Sequence, residues 1–326
     1  MLEGTNTFDT PMVGLSKADW LERLEAVADE HGYFQPLGKR HYAAFVDEKP
    51  TLLVTFETIQ GIQALSDTGQ PVGWEMVKGL GWSHLCLISD GDTWFRDPRV
   101  FGYFDRLIDD GFFEDFDQVI FYGAGPCGYA AAAYSVASPG AKVVVVQPQA
   151  TLDPRVTEWD DRFTHMRRTS FTDRYGYAPD MLDAADEAFV FYDPAENLDA
   201  MHTALFTRPN VTKLRMRYMG GALQTDLMEM QILLRILAKV GTGKMDYQTF
   251  AKFYRARRDY TRYLRGLMAR LDTGERYYLT ATLCRNVVDR LKTAPRFRQR
   301  LAALEREAEA GNVNLPPVHG ADDLDD

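Results

Sequence analysis

Apolar residues recur along the chain in two rhythms. Trp20, Leu21, Leu24 and Val27 fall on one face of a helix over residues 16–31, opened by Ser16 with Asp19 three positions later and closed by Gly32. The short apolar runs 51–56 and 84–89, bounded by Pro, Gly or Asp, predict buried strands, and 101–110 predicts a helix. From there the rhythms alternate: strand 118–122, helix 128–137, strand 142–147, strand 187–192, helix 197–206, strand 211–217 and helix 225–239. Nearly continuous apolar strands separated by helices predict an α/β fold, a mostly parallel sheet with helices on both faces.

Two stretches break the alternation. Residues 150–186 are polar and aromatic, with Trp159, Phe163, Phe171, Tyr175 and Tyr177, an insertion long enough to serve as a lid, a binding loop or a contact in a homo-oligomer. After Gly241-Thr242-Gly243 the pattern becomes purely helical, over 246–271 and 275–309, and the chain ends in an acidic tail. The expected division is a helical segment over 1–40, an α/β domain over 41–240, a helical arm over 241–312 and the tail over 313–326, read as disordered.

Composition works mainly by exclusion. With 37 Lys plus Arg against 47 Asp plus Glu, the net charge of −10 argues against nucleic acid as a partner. The Arg-rich run from Arg255 to Arg270 reads as a solvated helix face. No apolar stretch reaches the roughly 18 residues that span a bilayer, so no membrane insertion is expected. Cys86, Cys127 and Cys284 are far apart, no metal spacing is present, and the amino terminus lacks a basic region followed by an apolar run. Together these predict a cytoplasmic protein in a reducing compartment.

The candidate chemistry lies in the turn after the strand at 118–122, because parallel sheets bind ligands at the carboxyl ends of their strands. Gly123-Ala124-Gly125-Pro126-Cys127-Gly128 satisfies the G-x-G-x-x-G fingerprint of a dinucleotide (FAD or NAD(P)) oxidoreductase, in which Gly123, Gly125 and Gly128 would bind the cofactor. Against it, the next strand ends in Gln147-Pro148 where that fingerprint needs a carboxylate. A second reading is a nucleophile elbow, G-x-S-x-G, with Gly125 at the serine position. A third moves the nucleophile to Cys127, in the first helical turn, where the helix dipole lowers a thiol pKa and Gly128 offers its amide, giving a hydrolase or acyltransferase.

Tyr122-Gly-Ala-Gly-Pro-Cys-Gly-Tyr-Ala-Ala131, followed by Gln147-Pro-Gln-Ala-Thr-Leu-Asp-Pro154 and Asp161-Arg-Phe163, resembles a bacterial α/β-hydrolase-like family with a Y-G-x-S-M-G-G-Y-x-A elbow and a later P-Q-x-x-x-D-P. The resemblance covers roughly residues 50–240 and implies a link to polysaccharide or protein-glycan handling. It implies a pocket around Gly123, Gly125, Pro126, Gly128, Gln149, Asp153 and Arg162, and carries less securely to Tyr192-Asp193-Pro194, Asp199 and His202. The chain departs from that family where acyl chemistry needs it most. Gly125 replaces the serine, Pro126 has no N–H to give an oxyanion, and the loop 218–222, where the fold keeps its histidine, contains none.

Cys127, Asp193 and His202 are the remaining catalytic candidates, although Asp193 before Pro194 is also an ordinary turn starter and His202 an ordinary helical histidine. Arg162, Arg167 and Arg168 suit an anionic group or an oligomer contact equally. No cofactor is expected, and whether catalysis survives is left open. The reading that follows is a diverged, non-catalytic hydrolase-like protein, a pseudoenzyme, binding a small molecule, glycan or protein partner at the former active-site mouth.

Overall fold

The computed structural model describes residues 7–317; the tail beyond, residues 318–326, lies outside the described residues. Eight strands form one sheet: β1 (Gly32–Pro36), β2 (His41–Val46), β3 (Thr51–Thr58), β4 (Ser83–Ser89), β5 (Gln118–Ala124), β6 (Lys142–Val146), β7 (Glu187–Tyr192) and β8 (Val211–Arg215). Their spatial order is β1-β2-β4-β3-β5-β6-β7-β8, with β2 antiparallel to both neighbours and all pairs from β4 to β8 parallel. This is the mostly parallel sheet that the apolar runs predict.

Successive side chains leave opposite faces of a strand, so each central strand feeds two cores. On one face Val54, Phe56, Leu85, Leu87, Phe121, Val143 and Val145 meet Tyr103, Phe104 and Tyr134. These last come from α4 (Pro98–Asp109) and α5 (Pro126–Tyr134). On the other face Ala44, Val46, Cys86 and Ile88 meet Trp20, Leu24, Ile62 and Trp74. Those belong to α1 (Lys17–His31), α2 (Ile59–Leu65) and α3 (Trp74–Leu80). The four consecutive alanines of α5, Ala130 to Ala133, are all fully buried. Their small side chains let the helix lie close on the sheet behind the turn.

The structure adds β1 and β2, which the sequence pattern does not reveal. β1 is bounded by Gly32 and Pro36 and has no buried residue, so its pairing with β2 defines it, while the two alanines of β2 interrupt its apolar pattern and the strand is set by pairing and burial. The insertion at 150–186 holds only the short helices α6 (Pro154–Thr157) and α7 (Ala178–Met181) and two 3-10 turns. Arg96 anchors it: the guanidinium lies over the rings of Phe101 and Phe171, donates to the carbonyls of Ser170 (3.1 Å) and Arg174 (2.7 Å), and pairs with Asp173.

After α8 (Asn197–Ala204), the single helix expected over 225–239 is two, α9 (Leu223–Glu229) and α10 (Leu233–Gly241). They part at Gln231, whose φ of 56° cannot continue a right-handed helix. The two long helices expected beyond are four: α11 (Tyr247–Tyr254), α12 (Thr261–Thr273), α13 (Tyr277–Arg290) and α14 (Pro295–Glu309). Pro295 starts the last of them at the position where proline fits a helix. The chain divides into two compact units between Phe253 and Tyr254. The second unit has its own small core of Leu264, Cys284, Val287, Ala294 and Phe297.

Candidate functional site

Gly125 ends β5 and caps α5 with φ 55° and ψ −124°, a conformation that costs a residue with a side chain on the order of 1–3 kcal/mol. A Cβ built there meets nothing within 4 Å, so the position opens onto free space. Gly123 is glycine for another reason: its Cβ would come 2.2 Å from the carbonyl oxygen of Cys127. The turn thus keeps a backbone geometry that would strain a residue bearing a side chain, and what it displays is a bare backbone. Pro126 takes the first helical position, and Tyr129 N–H closes the first helical bond onto the Gly125 carbonyl at 3.0 Å.

Two cavities meet at this turn. The larger, of about 730 Å³, runs from Glu57 and Thr58 past Asp92 and Cys127 to Met228 and Leu234. The smaller, of about 320 Å³, is bounded by Gly125, Gln147, Gln149, Arg162, Phe163 and Asp199. Ala124, Pro126, Gln224 and Thr225 line both. Of the pocket residues expected from sequence, Gly125, Pro126, Gln149 and Arg162 come together here. Gly123 and Gly128 lie behind the turn, Gly128 against Pro148. Asp153 is elsewhere: it caps α6 by accepting from Arg155 N at 3.0 Å and pairs with the Arg155 side chain.

The floor of the smaller cavity is a closed polar network. Gln147 donates to Asp199 at 2.6 Å and accepts from Leu223 N at 3.0 Å, while Arg162 bridges Asp199 (2.7 Å) and Asp160 (2.8 Å). His202 belongs to the same network. Its Nδ1 accepts from Ala150 N at 3.2 Å, which leaves the proton on Nε2, 2.9 Å from Asp160 Oδ2. Both ring nitrogens are therefore occupied, and the ring packs at a tilt against Trp159, centroids 4.7 Å apart. Burial lowers its pKa, partly opposed by Asp160. His202 braces the wall of the cavity, with no free nitrogen to act as a base there.

Asp193 follows the last residue of β7, where a hydrolase-like sheet carries its acid, and is fully buried. Its Oδ1 accepts from Ala195 N and its Oδ2 from Gly220 N, each at 2.8 Å. The carboxylate thus starts a turn and binds the backbone of the very loop that would bring a histidine. It lines neither cavity.

Cys127 borders the larger cavity, and its thiol is pushed well above the ordinary range, first by burial and then by the carboxylates of Asp92 and Glu57. These outweigh the helix dipole that would favour a thiolate. Glu57, Asp92 and Gln224 escaped the sequence reading, since no motif surrounds them and they reach the turn from β3, from the segment after β4 and from α9. The dinucleotide reading is not favoured by this geometry. The fingerprint sits on the fifth strand of a sheet whose order is not that of a dinucleotide fold, and Gln147, at the place of the ribose-binding acid, is spent on Asp199 and Leu223.

No protein-family model and no curated protein matches the sequence. Among solved structures, the chain is similar to a hyperthermophilic esterase from Pyrobaculum calidifontis, at 12% identity over 71% of this chain and 91% of that one, with a TM-score of 0.42. It is similar to Est1E from Butyrivibrio proteoclasticus (10%, 64% and 98%, 0.38) and to the capsule O-acetyltransferase of Neisseria meningitidis serogroup A (11%, 59% and 91%, 0.38). At such identities the likeness concerns backbone path and does not reach the side chains of the turn. Among the described residues no helix is long and apolar enough to cross a membrane. A mostly parallel sheet, a positive-φ turn between β5 and its helix, and an acid at the end of β7 make this an α/β-hydrolase-like fold with a helical carboxyl-terminal region.

Proposed function

We propose that this protein is a binding protein built on a hydrolase-like frame, a pseudoenzyme that holds a small hydroxyl-rich molecule of the glycan type at the former active-site mouth. The observation that carries this is the joint loss at one turn. Gly125 offers no nucleophile, Pro126 offers no amide, and the loop after β8 spends Gly220 N–H on Asp193 instead of presenting an imidazole. Acyl transfer needs all three, nucleophile, oxyanion donor and base, whereas binding needs none of them.

The smaller cavity favours a neutral polar ligand. Arg162 and Asp199 are paired with each other, so the smaller cavity presents no net excess of either charge, while Gln149, Gln224 and Thr225 supply donors and acceptors beside the ring of Phe163. The test is a thermal-shift and calorimetric screen of mono- and oligosaccharides against the intact chain and Gln224→Ala, run beside an assay with activated acetyl esters. The expected result is saturable sugar binding weakened by Gln224→Ala, with ester cleavage at the buffer rate. Ester turnover that disappears in Cys127→Ala would overturn the reading in favour of a thiol hydrolase.

A further inference from the structure

On the face of the sheet opposite α5, neighbouring strands bring four polar side chains into one square. Thr55 and Glu57 stand two apart on β3, His84 and Cys86 two apart on β4, so each pair leaves its strand on the same side. Thr55 and Cys86 are direct partners across the ladder. All four are buried, Glu57 at 8% exposure and the others completely. The carboxylate, imidazole and thiol donor atoms lie within 4.8 Å of one another. Thr55 Oγ1 sits among them, 2.7 Å from Glu57 Oε1, 2.9 Å from His84 Nε2 and 3.3 Å from Cys86 Sγ.

Hydrogen bonding alone serves this set poorly. With the His84 proton on Nδ1, the tautomer that frees Nε2 to ligate, one hydroxyl hydrogen faces three neighbours able to accept it, and the thiol that approaches Glu57 Oε1 at 3.4 Å is a weak donor. His84 Nδ1 is buried without any partner. Among the described residues no cationic side chain pairs with Glu57, which makes an ionised carboxylate at this depth costly.

We propose that Thr55, Glu57, His84 and Cys86 form a closed, four-donor site for one zinc ion, clamping β3 to β4. A nitrogen, a sulfur and oxygens are the donor types that zinc takes in tetrahedral sites. One thiolate and one carboxylate cancel the charge of a dication, so the loaded site is neutral in the interior, as burial demands. Donors at about 2.0–2.3 Å from a tetrahedral ion stand roughly 3.3–3.7 Å apart, so the square opens by about half an ångström on loading. Glu57 also lines the larger cavity, which supplies both an entry path and the room to open. Val72 N–H, 3.2 Å from Glu57 Oε2, is the outer hydrogen bond that orients the carboxylate. His84 presents its Nε2 to this set, 2.9 Å from Thr55 Oγ1. On binding, Zn–N, Zn–S and Zn–O bonds replace the ion's water ligands, which leave to solvent with the thiol proton and any carboxyl proton, and no oxidation state changes.

The test uses the intact chain, stripped with a chelator and titrated with cobalt(II), then with zinc. The expected result is a thiolate-to-cobalt charge-transfer band with intense tetrahedral visible absorption, saturating at one ion per chain and bleached by zinc. The band should be lost in Cys86→Ala and kept in Cys127→Ala and Cys284→Ala. Weak octahedral cobalt absorption only, or a thiolate band that survives Cys86→Ala, overturns the proposal. If Cys86→Ala does not fold, alkylation of the natural chain decides: zinc must protect Cys86 from the reagent, and equal labelling with and without zinc overturns the site.

Discussion

A hydroxyl placed at position 125 would stand in open space on a strained turn, which is where a hydrolase puts its nucleophile. Gly125→Ser therefore tests whether the nucleophile alone was lost. The substitution should cost about 1–3 kcal/mol of stability, read as a lower urea midpoint, because serine pays for the positive φ that glycine takes freely. Activated-ester cleavage should remain at background, since Pro126 still lacks its N–H and, among the described residues, no imidazole lines either cavity at the turn. Gly123→Ala should be worse tolerated than Gly125→Ala, because its Cβ meets the backbone oxygen of Cys127 whereas the other meets nothing. Equal midpoints for the two variants would contradict the geometry of the turn.

Between elements, Asp193 is the tie that joins the end of β7 to the loop after β8. Each of its two backbone bonds involves a charged acceptor, and such bonds contribute about 1.5–3 kcal/mol each. Asp193→Ala should lower stability by about 3 kcal/mol in denaturant unfolding, and Asp193→Asn by less, since the amide oxygen still accepts one of the two. Arg96 plays the corresponding part for the insertion. Arg96→Ala removes its bonds to Ser170, Arg174 and Asp173, so limited proteolysis should begin within 160–177 while far-UV circular dichroism stays unchanged. Cleavage elsewhere, with 160–177 still protected, would show that other contacts hold the insertion.

For the molecule as a whole, buried histidines set the acid limb of stability. His41 is almost fully buried, bonds Thr93 at 2.8 Å through Nε2, and has its pKa lowered from 6.5 to about 4, first by burial and further by Arg40, with Asp97 opposing. Below pH 6.5 the unfolded chain binds a proton that the folded chain refuses, so stability falls as pH drops from about 6.5 to about 4. For this one group the loss approaches 3 kcal/mol at the bottom of that window, at about 1.4 kcal/mol per pKa unit. Replacing it, as in His41→Asn, should flatten the slope of unfolding free energy against pH between those limits. An unchanged slope would mean that the ring is hydrated in solution.

The sequence by itself determined the strands β3 to β8, because each of β3 to β7 is buried on both faces and had to be written as an apolar run, and β8 follows at the spacing of the alternation. It determined the absence of a serine at position 125 too, since folding cannot alter which residue stands there. Only the tertiary structure decided the rest. β1 and β2 are defined by the strands they pair with, α9 and α10 part where Gln231 takes a positive φ, and His202 turns from a candidate base into a brace once Ala150 and Asp160 occupy its nitrogens. Asp153, Gly123 and Gly128 fall outside the cavity for the same reason. The square of Thr55, Glu57, His84 and Cys86 is the extreme case: its members are up to 31 residues apart in sequence. Local spacing records which face a side chain takes, but which two faces meet is settled by strand order, and strand order depends on long-range packing that no local pattern encodes.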